Sequence, residues 1–441
     1  MCRSVPRVSP LNEFLGSHHL EFSCETLFRF CLLLFPIFLV TVEHWASGGY
    51  SILFLLAVFC LWRTRRHGTP LYPPERVLIG ILLIYFAVFL ASSAVNGWGQ
   101  PAVYALGTEL RFPAAIVLYL AIRRIKNSHK PLLAGIVAGV VVAGLNGLFD
   151  VYIMDRPHAM GHYDRLFFGP VLTLLLFLLY PAASPLRLTS RKAVIGLCTI
   201  AILALAGIAL SKARMAYLTL VALLPLLSFY ALAWRKAIVV VGIMAALGMW
   251  SYSNIDFIHD RVITAYKGAI AYRDALRDNQ SLPRISSKDP VSLRLEMWRA
   301  TKFFVADSPI LGVGRFNYES RIRELAAQGL VNQFAADHSH PHNAYLAILD
   351  EKGFLGLTSL LALLLYPGWF AFQTRRFSRS SAAAVLILIG AYAFFSVTEA
   401  SPFIKGNYVA IYLVFLSVFF AWHVRSVRSR STPLHAHPSK E

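Results

Sequence analysis

The sequence predicts an all-α polytopic membrane protein with about twelve transmembrane helices and one large helical segment outside the membrane. Three observations indicate this fold class. Hydrophobic residues make up 57% of the 441 residues and charged residues only 15%, whereas a soluble domain carries about 25% charged residues. The apolar residues fall in long runs instead of alternating with polar ones, and the basic residues lie between the runs. Such a chain lacks the polar surface that a water-soluble globule needs.

The apolar runs predict the spans, each of them helical because backbone amides find no other partner in hydrocarbon. The predicted spans cover 27–42, 48–62, 77–95, 102–122, 131–149, 166–183, 193–210, 215–234, 237–254, 345–373, 382–399 and 408–424. The first is short and contains Arg29. We interpret it as an uncleaved span, because no convincing small-residue cleavage site follows it.

The distribution of Lys and Arg predicts the orientation of the chain in the membrane. With the N-terminus inside, the inside segments hold most of the basic residues, and the short outside loops hold only Arg156, Arg165, Lys212, Arg214 and Lys405. The positive-inside rule therefore predicts that both termini are cytoplasmic. The net charge of +19 is dispersed among the loops, which suits contact with anionic lipids and not a nucleic-acid-binding stripe.

These spans predict four segments. They are spans one to nine in 1–254, a large outside loop in 255–344, the last three spans in 345–424, and a disordered basic tail in 425–441. Helical periodicity in the loop appears around 255–276 and 291–305, with Asp289 as N-cap and Pro290 at the first helical position of the second. We expect two to four helices lying over the membrane face.

The cysteines predict neither a disulfide framework nor a cysteine metal site. They are Cys2, Cys24, Cys31, Cys60 and Cys198. None lies in the outside loop, and no CxxC pair exists.

The outside loop ends in alternating histidines, His338, His340 and His342, followed by Asn343. Alternate residues of an extended segment point to the same side, so zinc binding is geometrically possible. No nearby cysteine, HExxH motif or carboxylate cluster completes a recognisable ligand set, however. Ordinary surface histidines are a second alternative. We favour a catalytic histidine, because imidazole takes up a proton near neutral pH.

The end of the loop carries a signature that resembles a known family. His342-Asn343, nine residues, then Gly353-Phe354-Leu355-Gly356 fits the pattern H-[NSQ]-x9-G-x-x-[GTY] associated with bacterial O-antigen ligases. Upstream elements agree, namely Arg294 and Trp298 in SLRLEMW, SPILGVG at 308–314, and Ser211-Lys212-Ala213-Arg214. The chain thus resembles the Wzy-C type O-antigen ligase and polymerase superfamily. One departure is Lys212, which stands where many relatives have Ser-Arg directly adjacent.

The resemblance implies a GT-C-like fold and a reaction at the periplasmic face of the bacterial inner membrane. It implies transfer of O-antigen polysaccharide from undecaprenyl pyrophosphate to the lipid A-core acceptor of lipopolysaccharide, without nucleotide, metal or other cofactor. The resemblance assigns the general base to His342 and stabilisation of the pyrophosphate leaving group to Arg214 and Arg294.

Further residues are candidates for substrate binding, because the chain has no DxD motif that could hold a metal-bound diphosphate. Arginine suits this role, since its planar fork binds phosphate oxygens bidentately and stays charged. The substrate-binding candidates are Arg156, Arg165, Arg315, His338, His340 and Asn343. Ordinary alternatives are a snorkelling charge for Arg214, a surface ion pair for Arg294 and a helix cap for Asn343. Glu109 and Arg111, both inside the fourth span, we expect to pair with other spans.

Other functions remain open. An O-antigen polymerase or a protein O-oligosaccharyltransferase of the same superfamily would use a different acceptor, which sequence does not exclude. A twelve-span transporter is a more distant alternative, since it would usually show two six-helix halves joined by a cytoplasmic connection. Here the middle connection near 184–192 is short, and the large loop lies late in the chain.

Overall fold

The structure, a computed structural model, describes residues 10–64, 70–183, 191–277 and 290–431. The described residues form helices and turns, without strands. The helices are α1 Pro10–Ile37, α2 Trp45–Arg63, α3 Pro73–Asn96, α4 Gln100–Glu109, α5 Arg111–Ile122, α6 His129–Tyr152, α7 Arg165–Ala183, α8 Arg191–Ser211, α9 Arg214–Ala231, α10 Trp234–Asn254, α11 Asp256–Arg277, α12 Pro290–Asp307, α13 Tyr318–Ala327, α14 Gln333–Ala336, α15 Ala344–Gln373, α16 Arg379–Thr398, α17 Ser401–Ile404 and α18 Gly406–Ser431.

Within the described residues, eleven helices are long and apolar enough to cross a membrane, with α4 and α5 counted as one span, Gln100–Ile122. The predicted fold class, an all-α polytopic membrane protein, is confirmed. The first predicted span falls in α1, which is not one of the eleven. Its described side chains begin at Cys24 and include Glu25 and Arg29, whose carboxylate and guanidinium are 2.6 Å apart. The fourth span is divided at Leu110, between the two charged residues that the sequence singled out.

Helix α18 is the centre of the bundle, and α10 lies at its periphery. Within their apolar windows, 94% of the α18 residues but only 6% of the α10 residues are buried. Because a lipid-facing surface can be as apolar as a packed one, hydropathy alone does not separate these two helices. Helix α18 packs against α2, α5 and α16. It continues to Ser431, so the start of the basic tail expected at 425–441 is helical, and Arg425 donates to the carbonyl of Ile125 at 2.5 Å.

Helices α11 to α14 occupy the loop between α10 and α15 and share a small apolar core. Its members include Tyr272, Met297, Phe304, Tyr318 and Ile322. The periodicities at 255–276 and 291–305 correspond to α11 and α12, and Pro290 is the first residue of α12. The proposed N-cap Asp289 lies outside the described residues.

One expectation about cysteine was wrong. Cys24 of α1 and Cys60 of α2 form a disulfide. The two helices pack against each other, and the disulfide joins the middle of α1 to the end of α2. Sequence spacing does not reveal such a pairing.

Candidate functional site

The glycine signature produces a break in α15. Gly353 has a φ of +64° inside this helix, a conformation that glycine adopts without steric cost. The break frees backbone groups on both sides, and the loop segment 309–314 satisfies them. Val313 and Gly314 donate to the carbonyls of Asp350 and Glu351 at 2.8 and 3.1 Å. In return, Phe354 and Leu355 donate to the carbonyls of Pro309 and Ile310 at 2.8 and 3.2 Å.

This exchange requires two backbones to touch, and glycine permits the contact. A Cβ atom on Gly353 would lie 2.3 Å from the carbonyl carbon of Ile310, and one on Gly312 would lie 2.4 Å from that of Glu351. The two sequence elements SPILGVG and GFLG are therefore parts of one joint. The joint attaches the loop segment to the start of α15.

A group of fully buried charges lies directly behind this joint, and we refer to Glu109, Arg315, Glu351 and Lys352 as the buried charge cluster. The Lys352 Nζ lies 2.7 Å from the Glu109 Oε1, and the Arg315 Nε lies 3.3 Å from the same oxygen. Arg315 also pairs with Glu351. Lys352 Nζ lies 4.1 Å from the centroid of the Tyr85 ring. Each charge thus has an opposite partner, which burial in a bundle requires.

Two sequence predictions meet in this cluster. Glu109 pairs with Lys352 of α15, as expected for a charge inside a span. Arg315 was a substrate-binding candidate, but its side chain has no exposed surface and faces two carboxylates. It also donates to the carbonyl of Ile404 at 3.2 Å. Since its charge is occupied by protein groups, we leave Arg315 out of the site proposed below.

The histidine segment is held at both ends. On one side, the Trp298 indole on α12 donates to the carbonyl of Pro341 at 2.9 Å. On the other, Asn343 caps α15, because its Oδ1 accepts from the amides of Tyr345 and Leu346 at 2.9 and 3.1 Å. The Asn343 amide nitrogen also donates to the carbonyl of Val397 at 3.2 Å. Asn343 therefore fulfils the cap role that we considered as the alternative to substrate binding.

These supports bring the three histidines together with a carboxylate that the sequence did not indicate. We define the histidine site as His338, His340, His342 and Glu399. The His342 Nδ1 lies 3.1 Å from the Glu399 Oε2, and the His340 Nδ1 lies 3.8 Å from the Glu399 Oε1. The ring centroids of His340 and His342 are 4.6 Å apart, and those of His338 and His342 are 5.5 Å apart. His342 has a φ of +50°, which is sparsely populated for a residue with a Cβ and often marks functional sites.

The charges of this site follow from its partial burial. Burial alone would raise the pKa of Glu399, but the hydrogen bond from His342 and the nearby imidazoles outweigh it and hold the pKa at about 2. Burial lowers the pKa of His340 to about 4, although the charge of Glu399 opposes this change. Burial also lowers the pKa of His338. Near neutral pH, Glu399 is therefore an anion and His340 a neutral imidazole, which is the state that a proton acceptor or a metal ligand needs.

The geometry is also compatible with a metal ion. His340, His342 and Glu399 each offer one ligand atom, and these atoms lie within 4.8 Å of one another. Two imidazoles and a carboxylate form a ligand set that zinc uses in enzymes. The sequence had suggested no carboxylate for such a set, because Glu399 lies 57 residues beyond His342. An experiment with chelators is therefore part of the functional test.

A polar pocket of about 650 Å³ opens beside His340. It is lined by Ser47, Thr108, Arg111, Phe316, Ser339, His340, Glu351, Ile404, Lys405, Gly406 and Asn407. Two of these residues, Arg111 and Lys405, have no carboxylate within ion-pair distance among the described residues. Arg111 Nη2 instead donates to the hydroxyl of Ser47 at 3.1 Å. Arg111 thus faces a cavity and does not form the expected pair with another span.

Glycine again creates room for a charge in this pocket. A Cβ atom on Gly406 would lie 1.7 Å from the Arg111 Nη1. The guanidinium can therefore approach the first turn of α18 this closely only because residue 406 has no side chain. Arg111 was visible in the sequence as a charge inside a span, but nothing in the sequence placed it beside the histidines.

The remaining predicted arginines lie on the connections that surround the bundle. Arg156 pairs with Asp150 at 2.8 Å and donates to the carbonyl of Gly161 at 3.1 Å. Arg165 is exposed at the first position of α7, and Tyr408 of α18 donates its hydroxyl to the next residue, Leu166. This contact links the 156–165 connection to the helix that begins beside Lys405.

Arg214 and Arg294 occupy separate helices. Arg214 is the first residue of α9 and is exposed. The preceding Lys212 donates to the carbonyl of Pro157 at 2.9 Å, which joins this turn to the 156–165 connection. Arg294 is half-buried on α12, one helical turn before Trp298. No hydrogen bond or ion pair links Arg294 to the histidine site in the part of the chain that the structure describes.

The fold and the site together define a class, a multi-pass membrane protein with a histidine–carboxylate site at one end of its bundle. The family model described as O-antigen ligase matches residues 199–361, which run from within α8 to the middle of α15. This match confirms the resemblance seen in the signature at 342–356 and supports a membrane-bound enzyme of the O-antigen ligase superfamily.

A curated relative is a protein of Haemophilus influenzae (strain ATCC 51907 / DSM 11121 / KW20 / Rd) that is described as uncharacterized. It is 22% identical over 307 residues, which is 66% of this chain and 72% of the relative. Its description adds no activity, so the functional conclusion depends on the family match and on the site.

Proposed function

We propose that this protein is an O-antigen ligase. It would transfer O-antigen polysaccharide from undecaprenyl pyrophosphate to the lipid A-core acceptor at the periplasmic face of the inner membrane. The observation that carries the proposal is the pairing of His342 with Glu399, 3.1 Å apart, in a segment that matches the family signature. The family match supports a lipid-linked glycan as the substrate class.

Glu399 orients the base in this proposal. As an anion it accepts a hydrogen bond from the Nδ1–H of His342, and the lone pair of the imidazole is then on Nε2. The acceptor sugar transfers its hydroxyl proton to Nε2 as its oxygen attacks the anomeric carbon of the glycan. The bond between that carbon and the pyrophosphate oxygen breaks, and undecaprenyl pyrophosphate leaves with the electron pair. The histidine returns the proton to water in the next step.

The leaving group gains negative charge, which fixed cations stabilise. Arg111 and Lys405 line the pocket beside His340 and form no ion pair with a described carboxylate, so they are available for phosphate oxygens. Arg214 and Arg294, the arginines that match the family pattern, are proposed to bind the same group as the donor enters. Arg165 is proposed to contribute from the adjoining connection, and Arg156 to hold that connection through Asp150. His338, His340 and Asn343 are proposed to shape the acceptor side.

Deletion of the gene followed by lipopolysaccharide profiling tests this function. A ligase predicts core without O-antigen, together with accumulated lipid-linked long glycan. Complementation with His342→Ala should fail although the protein reaches the membrane at normal level. A matched control is His259→Ala, because His259 is an exposed histidine of α11 that contacts Tyr252 and not the histidine site. Full complementation by His342→Ala would contradict the general-base role.

Two other outcomes distinguish the alternatives. Core that carries a single repeat would indicate an O-antigen polymerase, and unchanged lipopolysaccharide with lost protein glycosylation would indicate a protein O-oligosaccharyltransferase. Purified protein treated with EDTA should retain its transferase activity. Loss of activity that zinc restores would instead assign His340, His342 and Glu399 to a metal site.

A further inference from the structure

A second cavity lies at the opposite end of α15 from the histidine site. Its volume is about 760 Å³, within the range of about 300–1,000 Å³ that ligand pockets usually have. Its apolar walls come from α7, α9, α15 and α16, and include Phe177, Leu223, Leu226 and Ile387. Gly390 also lines it, and a Cβ atom there would lie 2.7 Å from the Leu223 side chain. Arg375 and Arg376 of the turn between α15 and α16, together with Arg379 at the start of α16, line one end.

The turn that carries these arginines is held in place by a histidine of α18. His423 of α18 bridges its two ends, since its Nε2 lies 2.7 Å from the Thr374 hydroxyl and its Nδ1 lies 2.9 Å from the Ser381 hydroxyl. Ser378 also caps α16 through the amide of Ser381. The three guanidinium groups are therefore presented from a fixed turn attached to the central helix.

The arginines have contacts, but no described carboxylate lies within ion-pair distance of any of them. Arg375 stacks over the Phe372 ring at 3.9 Å, and Arg379 donates to the carbonyl of Tyr230 at 2.5 Å. A guanidinium has five N–H donors, so most of these donors remain for a ligand. The end of the cavity thus presents positive charge and hydrogen-bond donors, and its walls present hydrocarbon.

We propose that this cavity is a binding site for an anionic glycerophospholipid of the adjoining leaflet. One acyl chain would lie between α9 and α16, and the phosphate would be bound by Arg375, Arg376 and Arg379. Basic pockets between membrane helices recognise anionic head groups in this way. The inference does not depend on the transferase reaction, because the cavity and the histidine site lie at opposite ends of α15.

Lipid binding to the purified full-length protein in detergent tests the proposal. Phosphatidylglycerol should bind more tightly than phosphatidylcholine with the same acyl chains. The double variant Arg375→Gln/Arg379→Gln should weaken phosphatidylglycerol binding about 30-fold, since each basic residue near a membrane contributes about fivefold. Binding of phosphatidylcholine should stay the same. The matched control is Arg430→Gln, which removes an exposed arginine of α18 that does not line the cavity.

The hydrocarbon part is tested separately with Leu226→Trp. Leu226 is exposed and lines the cavity, so the larger ring has room to fill it without displacing the core. This variant should weaken both lipids alike. Equal binding of the two lipids by the natural protein would overturn the proposal, and so would an equal loss in Arg430→Gln. Binding of undecaprenyl phosphate in preference to phosphatidylglycerol would overturn the assignment of the lipid class.

Discussion

The buried charge cluster and the histidine site contain similar residue types, and residues 342 and 352 are close in sequence, yet the two groups are built differently. In the buried cluster, Glu109, Arg315, Glu351 and Lys352 pair with one another away from solvent. In the histidine site, Glu399 is the carboxylate facing two imidazoles, and the imidazoles remain about one quarter exposed. The first arrangement pairs its charges with one another, although Glu351 also lines the polar pocket, whereas the second leaves its imidazoles partly exposed.

The comparison shows that charge alone does not mark the reactive residues of this protein. Both groups lie near the N-terminal part of α15, before the joint at Gly353. Removing charges from the buried cluster should affect folding alone, and removing them from the histidine site should affect both stability and the reaction. Four predictions test this division, in order of decreasing size.

Lys352→Met should have the largest effect, about 3–5 kcal/mol of destabilisation, because it leaves Glu109 buried without its closest cation. The melting temperature of the purified protein in detergent measures this loss. The double variant Glu109→Gln/Lys352→Met should recover part of the stability, since it also removes the negative charge that loses its lysine partner in the single variant. A single variant that melts like the natural protein would show that the cluster does not hold the joint together.

Acid should weaken the folded protein through the histidine site in two steps. Folding lowers the pKa of His340 from 6.5 to about 4, so the unfolded chain binds this proton more tightly. The free energy of unfolding therefore falls as the pH is lowered from 6.5 to about 4. Folding lowers the pKa of Glu399 from 4.5 to about 2, so its contribution, roughly 3 kcal/mol, is present above pH 4.5 and lost towards pH 2. Melting temperatures measured against pH should show both steps. His340→Gln should remove the upper step and Glu399→Gln the lower one, and identical profiles would contradict the assignment.

Glu399→Gln should reduce transferase activity about 100-fold at neutral pH, part of the factor of about 10²–10⁴ that a general base contributes. The amide no longer favours the Nδ1–H tautomer or the imidazolium that forms during the reaction. Initial rates with lipid-linked donor and core acceptor measure this effect. Glu399→Asp, which keeps the charge, should recover part of the activity. Equal rates for the glutamine and aspartate variants would argue against a charge-based role.

Asn343→Ala should have the smallest effect, a loss of about 1 kcal/mol in stability, because α15 loses its N-cap. Activity per folded molecule should fall only modestly, since Asn343 acts on the site indirectly, by capping α15 next to His342. Asn343→Asp keeps a capping oxygen and should melt close to the natural protein. A loss of activity far larger than the loss of stability would favour the substrate-binding role that the sequence suggested.

The fold was largely predictable from the sequence. Long apolar runs gave the class and most of the spans, because hydrocarbon leaves a helix as the only solution for an isolated segment. The packing order was not predictable. The nearly complete burial of α18 and the exposure of α10 depend on neighbours, and both helices read as simple apolar runs. The Cys24–Cys60 disulfide was not predictable for the same reason, because it depends on which helices are adjacent in the bundle.

The candidate site was predictable where it lies in one stretch of chain. The signature at 342–356 predicted His342 as a catalytic candidate, and the structure brings His338 and His340 beside it. Glu399 was missed, because it lies beyond the next span, at the end of α16. Its one available signal was an acid placed directly after an apolar run on the side expected to be outside. Arg315 was chosen as a substrate-binding candidate, but it is buried. Its partners Glu109 and Glu351 lie far from it in the sequence, so the local pattern of a loop arginine among glycines did not indicate its burial.

The joint at Gly353 also bears on how the chain is made. Protein synthesis proceeds from the N-terminus, and segments assemble as they emerge. Glu109 enters the membrane early, Arg315 and the segment 309–314 are completed next, and Lys352 follows at once in α15. Every partner of the polar turn at 350–352 therefore exists before that turn is synthesised. The opposite charges for the most polar part of α15 are thus already synthesised when this part emerges, and can pair with it as the helix enters the bilayer.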